Sequence, residues 1–343
     1  MEKAIQVYRG PYLESTHDIH IAVVNTEGEL VYSYGDPNRL TFPRSSMKPF
    51  QAIPVVETGA ADAFRFDEAD LSLICASHSG EPIHRNRVMD ILGRLKLEEN
   101  ALQCGTHIPR DMDSYKELIK NGGELTAVFS NCSGKHSGML TAVVHMGEDI
   151  HTYREIDHPH QQRILQAIEE VCQFPKESIE ISVDGCGVPV HRVPLKNTAL
   201  GYARLANSSA MENKERAVTL ERIRKAMTSA PEMVGGKDRF DTDLMRVFGG
   251  RIVAKAGAEG VQCLGDSETG LGIAIKVEDG NARATSVAAM EVLKQLGIGD
   301  DRIYAELEHY WEAPVLNARK DQIGVIKAEF KLTRESKILN ETV

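Results

Sequence analysis

A serine hydroxyl is a poor nucleophile until a base takes its proton, and lysine serves as that base once it is desolvated or set beside another cation. Ser45 and Lys48 stand three apart in RSSMK (44–48), and on a helix that spacing puts both on one face. Pro49 lacks an N–H and belongs in the first turn of a helix. Ser45 is therefore expected near a helix N-terminus, where the dipole favours a developing oxyanion. A simple N-cap is the plainer reading of the same residues, and one S-x-x-K is expected by chance in a chain of this size. Ser77 is the second candidate. It follows an apolar, strand-like run, Leu71–Ala76, and precedes His78, Ser79 and Gly80, a setting that suits a pocket or only a turn.

Three further stretches combine functional groups with small residues that let a ligand approach the backbone. They are Asn131–Gly138 (NCSGKHSG), Asp184–Gly187 (DGCG) and Lys255–Gly260 (KAGAEG). The first is not a phosphate loop, because Lys135 is followed by His136 and position 129 is Phe. Gly185-x-Gly187 lacks the third glycine of a dinucleotide fingerprint. ATP and NAD are excluded on these grounds, and no nucleotide cofactor is expected. Cys132 and Cys186, with Lys135, would offer zinc two thiolates and a nitrogen with one position open, although a neutral lysine is an unusual ligand. His78 and His136 read either as ligand-contacting imidazoles or as buried, hydrogen-bonded ones. Asp184 reads as a binding carboxylate or as a turn former before glycine.

Elements at both ends of the chain must position these groups. Ile5 and Val7 mark a short strand, Ile19–Val24 a longer one, and Glu29–Tyr34 returns after the turn at Asn25–Gly28. Near the other end Arg251–Ala256, Val261–Leu264 and Leu271–Val277 are strand-like. A helix through Val287, Met290 and Leu293 stops at Gly297, and Ile326–Leu332 alternates as a half-exposed strand. Between them lie helical repeats through Val88–Leu95, Ile164–Cys172 and Leu220–Ala230. The expected fold is α+β. One sheet is built from both chain ends (about 1–40 and 250–335), a helix-rich middle spans about 41–249, and residues 1–343 form a single catalytic unit with the site where the two layers meet.

The chain has 343 residues, with 40 Lys and Arg against 50 Asp and Glu for a net charge of −10. That balance argues against nucleic acid as a partner. Neither a secretory leader nor a membrane-spanning run of about 18 apolar residues is visible, so a cytoplasmic location is expected. The six cysteines form no C-x-x-C pair. A disulfide framework is not expected there.

The motifs RSSMKPFQ (44–51), CASHSGE (75–81), CGTHIP (104–109), NCSGKHSGM (131–139), DGCGVP (184–189) and KAGAEG (255–260), in this order over residues 5–335, resemble those of the rhizobial-type L-asparaginases, the asparaginase II or class 3 family. The resemblance implies a serine β-lactamase-like fold, hydrolysis of L-asparagine to L-aspartate and ammonia, and a homodimer. It also implies two Ser–Lys pairs, Ser45 with Lys48 and Ser77 with Lys255. Zinc would fall on Cys132, Lys135 and Cys186, and is not strictly required.

Helix geometry favours Ser45 as the serine that attacks the amide carbon, with Ser77 and Lys255 relaying protons, whereas the Gly-rich surroundings favour Ser77, and the sequence leaves both open. Arg44, Lys135 and His136 are candidates for the substrate carboxylate, Asp184 for its ammonium, and His78 for a further contact. The alternatives are a glutaminase or other amidase on the same fold, a non-catalytic amino-acid sensor, and a zinc-storage scaffold. Asparagine and glutamine differ by one methylene, which a pocket discriminates by only about 1–3 kcal/mol.

Overall fold

The computed structural model describes residues 4–335, so residues 1–3 and 336–343 of the expected 1–343 unit lie outside the described part. Thirteen strands are seen among the described residues. They are β1 (Ile5–Arg9), β2 (Tyr12–His17), β3 (Ile19–Val24), β4 (Leu30–Tyr34), β5 (Leu40–Thr41), β6 (Glu180–Val183), β7 (Pro189–Pro194), β8 (Ile252–Gly257), β9 (Val261–Asp266), β10 (Gly272–Val277), β11 (Ala313–Leu316), β12 (Gln322–Ala328) and β13 (Thr333–Arg334).

The α+β architecture is as expected, with one difference. Both chain ends meet in two sheets rather than one: β13-β4-β3-β10-β9-β8, and β11-β12-β1-β2. Ile21 pairs with Ile275 and Val7 with Ile326, each antiparallel. The helix-rich middle also holds a small sheet, β5-β7-β6, which the sequence reading missed because these strands are short and β7 begins and ends in proline.

Every residue of β9 and β10 is buried, apolar on both faces except for Gln262, Asp266 and Lys276, as in a sheet covered on both sides. The helices Leu195–Ala206 and Thr285–Gln295 both pack on them, and the latter also touches β12. A hydroxyl from the first of these helices reaches the site: buried Tyr202 donates to the Ser46 carbonyl at 2.8 Å. Pro43 sits against Gly257 so closely that a Cβ there would strike its carbonyl oxygen. The segment carrying Ser45 is thereby seated on the end of β8.

The run Leu71–Ala76 is not a strand. Glu68–Ile74 is a helix opened by a reciprocal capping box, in which the Asp70 N–H donates to Asp67 Oδ1 at 2.8 Å and the Asp67 N–H to Asp70 Oδ2 at 3.2 Å. Arg87 and Arg94 hold the buried Asp70 carboxylate. The helix Ser133–His145 crosses it, with Gly134 and Gly138 at the contact. A Cβ on Gly134 would fall on the Leu73 carbonyl oxygen, and one on Gly138 would lie 2.7 Å from Ile74 Cγ2. These glycines serve helix packing, which corrects the reading of SGKHSG as a stretch open to ligand.

Gly134→Ala tests this. Alanine favours an isolated helix by up to about 1 kcal/mol over glycine. Here the clash with backbone should reverse the sign and lower stability by about 1–3 kcal/mol, read as a lower urea midpoint at unchanged slope. A gain in stability would show that the two helices have room to part.

Candidate functional site

The S-x-x-K segment starts as a short 3-10 turn, Arg44–Met47, and becomes α-helical only at Lys48. Arg44 holds a left-handed backbone, φ 55°, which costs a non-glycine residue roughly 1–2 kcal/mol. Its Nε donates to Asp184 Oδ1 at 2.7 Å, so the strained residue is anchored to the DGCG turn.

Lys48 is almost wholly buried and does not pair with Ser45. Its Nζ donates to Ser77 Oγ at 3.0 Å, to Cys132 Sγ at 3.3 Å, to the Asn131 carbonyl at 3.5 Å and to the Ala76 carbonyl. Burial pushes its pKa below the ordinary lysine value, the Cys132 sulphur opposes that, and the charge of Lys135 adds to it. Lys255 does not bond Ser77 either. Its Nζ donates to the Ala256 carbonyl at 2.7 Å and stands 3.6 Å from Asp241 Oδ2. Burial lowers Lys255 to about 8, against the pull of Asp241. Asp241 also accepts from the Ala256 N–H at 2.8 Å and from Gln262 Nε2 at 2.9 Å, and so fixes the end of β8.

Ser45, Ser77 and Lys255 line one cleft of about 300 Å³, together with Asn131, Asp241, Arg110 and Arg239. The Ser45 hydroxyl has no hydrogen-bond partner among the described residues. A larger groove of about 450 Å³, between Asn207 and Arg224, contains none of the paired serines and lysines. The Ser77 N–H is spent on the Val234 carbonyl at 2.9 Å. It is therefore not free to donate to an oxyanion.

Arg44, His78, Lys135, His136 and Asp184 do not line this cleft. His78 Nδ1 accepts from the Gly80 N–H at 3.1 Å, so its Nε2–H donates to Ser133 Oγ at 2.9 Å. It is a neutral, stacked neighbour of His84, held well below the usual histidine range by burial. His136 is buried against the Tyr153 hydroxyl at 2.6 Å and is likewise neutral because of burial.

A sulphur–amine cluster adjoins Lys48. Cys132 Sγ faces Asn131 Oδ1 at 3.2 Å and Cys186 Sγ faces Asp184 Oδ2 at 3.6 Å, and the interaction between the two sulphurs, ahead of burial, holds the Cys132 pKa well below that of an ordinary thiol and the Cys186 pKa well above it. Lys135 Nζ donates to Cys186 Sγ at 2.9 Å and lies 4.0 Å from Asp184 Oδ2. Burial works against its charge, but the sulphurs and Asp184 outweigh it and raise its pKa. Two sulphurs and a nitrogen converge, a donor set whose chemistry fits zinc. Among the described residues no three His, Cys, Asp or Glu side chains gather as a metal site, so such a site depends on Lys135. The other four cysteines are ordinary buried thiols, Cys75, Cys172 and Cys263 pushed up to about 12 by burial and Cys104 to about 11.

Arg110, Arg239 and Asp241 escaped the sequence reading because none lies in a Gly- or Ser-rich stretch. One signal was available for Asp241: it shares a helical face with Leu244 and Met245, and all three are buried. A carboxylate on an apolar stripe needs a partner.

The L-asparaginase II family profile matches residues 5–328, and the chain belongs to that family. No curated protein matches it by sequence. Among solved structures it is similar to Mglu in its L-glutamate binding form (14% identity, 82% of this chain, 62% of that one, TM-score 0.46). It is also similar to a putative β-lactamase from Bacteroides dorei (12% identity, 81% and 94% coverage, TM-score 0.41) and a β-lactamase from Mycobacterium bovis (11% identity, 81% and 94%, TM-score 0.41). The chain thus spans 62% of the length of that Mglu chain. No helix among the described residues is long and apolar enough to cross a membrane.

The contact between Lys255 and Asp241 gives a direct test. Lys255 should lose its proton near pH 8, and Asp241→Asn should move that loss to lower pH, because the carboxylate holds the proton on. NMR titration of isotopically labelled lysine side chains, assigned with Lys255→Met, reads it. An unmoved titration would mean that the two groups are not electrostatically coupled.

Proposed function

We propose that this member of the L-asparaginase II family is an amidohydrolase that converts L-asparagine to L-aspartate and ammonia through a Ser–Lys acyl-enzyme. The observation that supports it is the hydrogen bond between buried Lys48 and Ser77 at the wall of the cleft. In the amine form Lys48 takes the Ser77 Oγ proton as the oxygen bonds to the side-chain amide carbon. The same proton passes to the amide nitrogen as the C–N bond breaks and ammonia leaves. Lys48 then takes a proton from water as it attacks the ester, and returns it to Ser77 Oγ as aspartate departs. Lys255, close to its own neutral point and held by Asp241, supplies a second exchangeable proton beside Ser45.

A second reading makes Ser45 the nucleophile, with Ser77 relaying its proton to Lys48. Two observations favour it: the Ser45 hydroxyl is unpartnered in the cleft, and the Ser77 N–H is spent on Val234. Ser77→Ala, Ser45→Ala and Lys48→Met are each expected to lower ammonia release by roughly a hundred- to ten-thousandfold. The nucleophile is the serine that carries the added mass when the reaction is quenched during turnover. Wild-type protein that releases no ammonia from L-asparagine would sink the reading, and equal release from L-glutamine would widen it to a general amidase.

Zinc belongs to the same proposal. Cys132, Cys186 and Lys135 would hold it, and it would supply a Lewis acid. Metal analysis should find one zinc per chain, lost in Cys132→Ser, with activity reduced but present after chelation. The homodimer is proposed on the family's pattern and is read by sedimentation.

A further inference from the structure

Arg44 and Lys135, expected to meet the substrate carboxylate, are held by Asp184 and Cys186, and His136 is buried and neutral. The cleft nevertheless contains two other cations. Arg110 and Arg239 both line it, and neither guanidinium makes a hydrogen bond or an ion pair with any described residue. They bear on each other and on Lys255: desolvation and the charge of Arg239 lower the Arg110 pKa, and both arginines help lower that of Lys255. Asp241 offsets part of this charge, but its oxygens already accept from Ala256 and Gln262.

Guanidinium groups gathered without carboxylate partners repel each other, and an arriving anion relieves that repulsion. Each guanidinium offers a fork of donors matched to a carboxylate. Asp238 and Glu259 line the same cleft and have no ion pair among the described residues. A small cleft with free groups of both signs suits a zwitterion and disfavours a polyanion such as a phosphate ester.

We propose that Arg110 and Arg239 bind the α-carboxylate of the amino-acid substrate, and that Asp238 and Glu259 face its ammonium group. The side-chain amide is thereby directed at Ser77 and Ser45. This inference rests on the reading of the cleft as an amino-acid amidohydrolase site, and binding tests it without turnover.

L-aspartate, the product, is titrated calorimetrically into wild-type protein and into Arg110→Ala, Arg239→Ala and the double variant, with near-ultraviolet dichroism as the check on folding. Each single change should weaken binding about 10- to 100-fold, and Arg239→Lys should recover part of the loss. β-Alanine, which is aspartate without its α-carboxylate, should bind more weakly than L-aspartate to wild type, with that preference gone in the double variant. Undiminished L-aspartate binding in the double variant, or none in wild type, would overturn the assignment. Wild-type protein that binds L-aspartate through these arginines but releases no ammonia from L-asparagine would leave it standing and remove the amidohydrolase reading.

Discussion

An ammonium group buried without acceptors costs several kcal/mol even after the protein relaxes around it. Lys48 meets that demand by drawing acceptors from separate stretches of chain. One is the end of the helix Glu68–Ile74, through Ala76 and Ser77. The other is the entry to the helix Ser133–His145, through Asn131 and Cys132. Those two helices touch through Gly134 and Gly138, so the packing that brings them together also sets the acceptors around the amine. The Lys48 segment is fixed from the opposite side by Tyr202 on Ser46, by Ser46 Oγ on the Lys255 carbonyl at 2.9 Å, and by Pro43 on Gly257.

The sulphur–amine cluster and the cleft are joined through Lys48, which bonds Cys132 of the cluster and Ser77 of the cleft lining. On one side Cys132, Cys186, Lys135 and Asp184 balance charge among themselves. On the other, Lys255, Arg110 and Arg239 share a cleft with Asp241, Asp238 and Glu259, and of these carboxylates only Asp241 stands within ion-pair distance of Lys255. A change of charge in the cluster is felt in the cleft through the lysine amine, because Cys132 raises its pKa and Lys135 lowers it. The strained Arg44, next in the chain to Ser45 of the cleft lining, is tied to the cluster through Asp184.

Much of this was legible in the residues. The strands at both ends, the helix stopping at Gly297 and the segments holding Ser45, Lys48, Ser77 and Lys255 follow from periodicity and turn chemistry. The pairing of the lysines does not. A four-carbon side chain reaches whichever acceptor the tertiary fold supplies, and for Lys48 that acceptor lies 29 positions away, on Ser77. Leu71–Ala76 misled because a short continuous apolar run has no period to separate strand from helix. The informative signal was the Asp67–Asp70 pair ahead of it. Glycine in SGKHSG had two physical explanations, room for a ligand and room for a helix, and only the position of Leu73 and Ile74 separates them.

The sheet that carries Lys255 is completed by the two halves of the chain least close in time. β3 is made early and β10 late, yet Ile21 hydrogen-bonds beside Ile275. During synthesis the first strands must therefore wait, apolar faces uncovered, until most of the polypeptide has left the ribosome. Non-local pairing of this kind slows folding and exposes sticky intermediates. The helix Leu195–Ala206 packs on β3, β9 and β10 alike, and so offers one surface on which the early and late strands assemble.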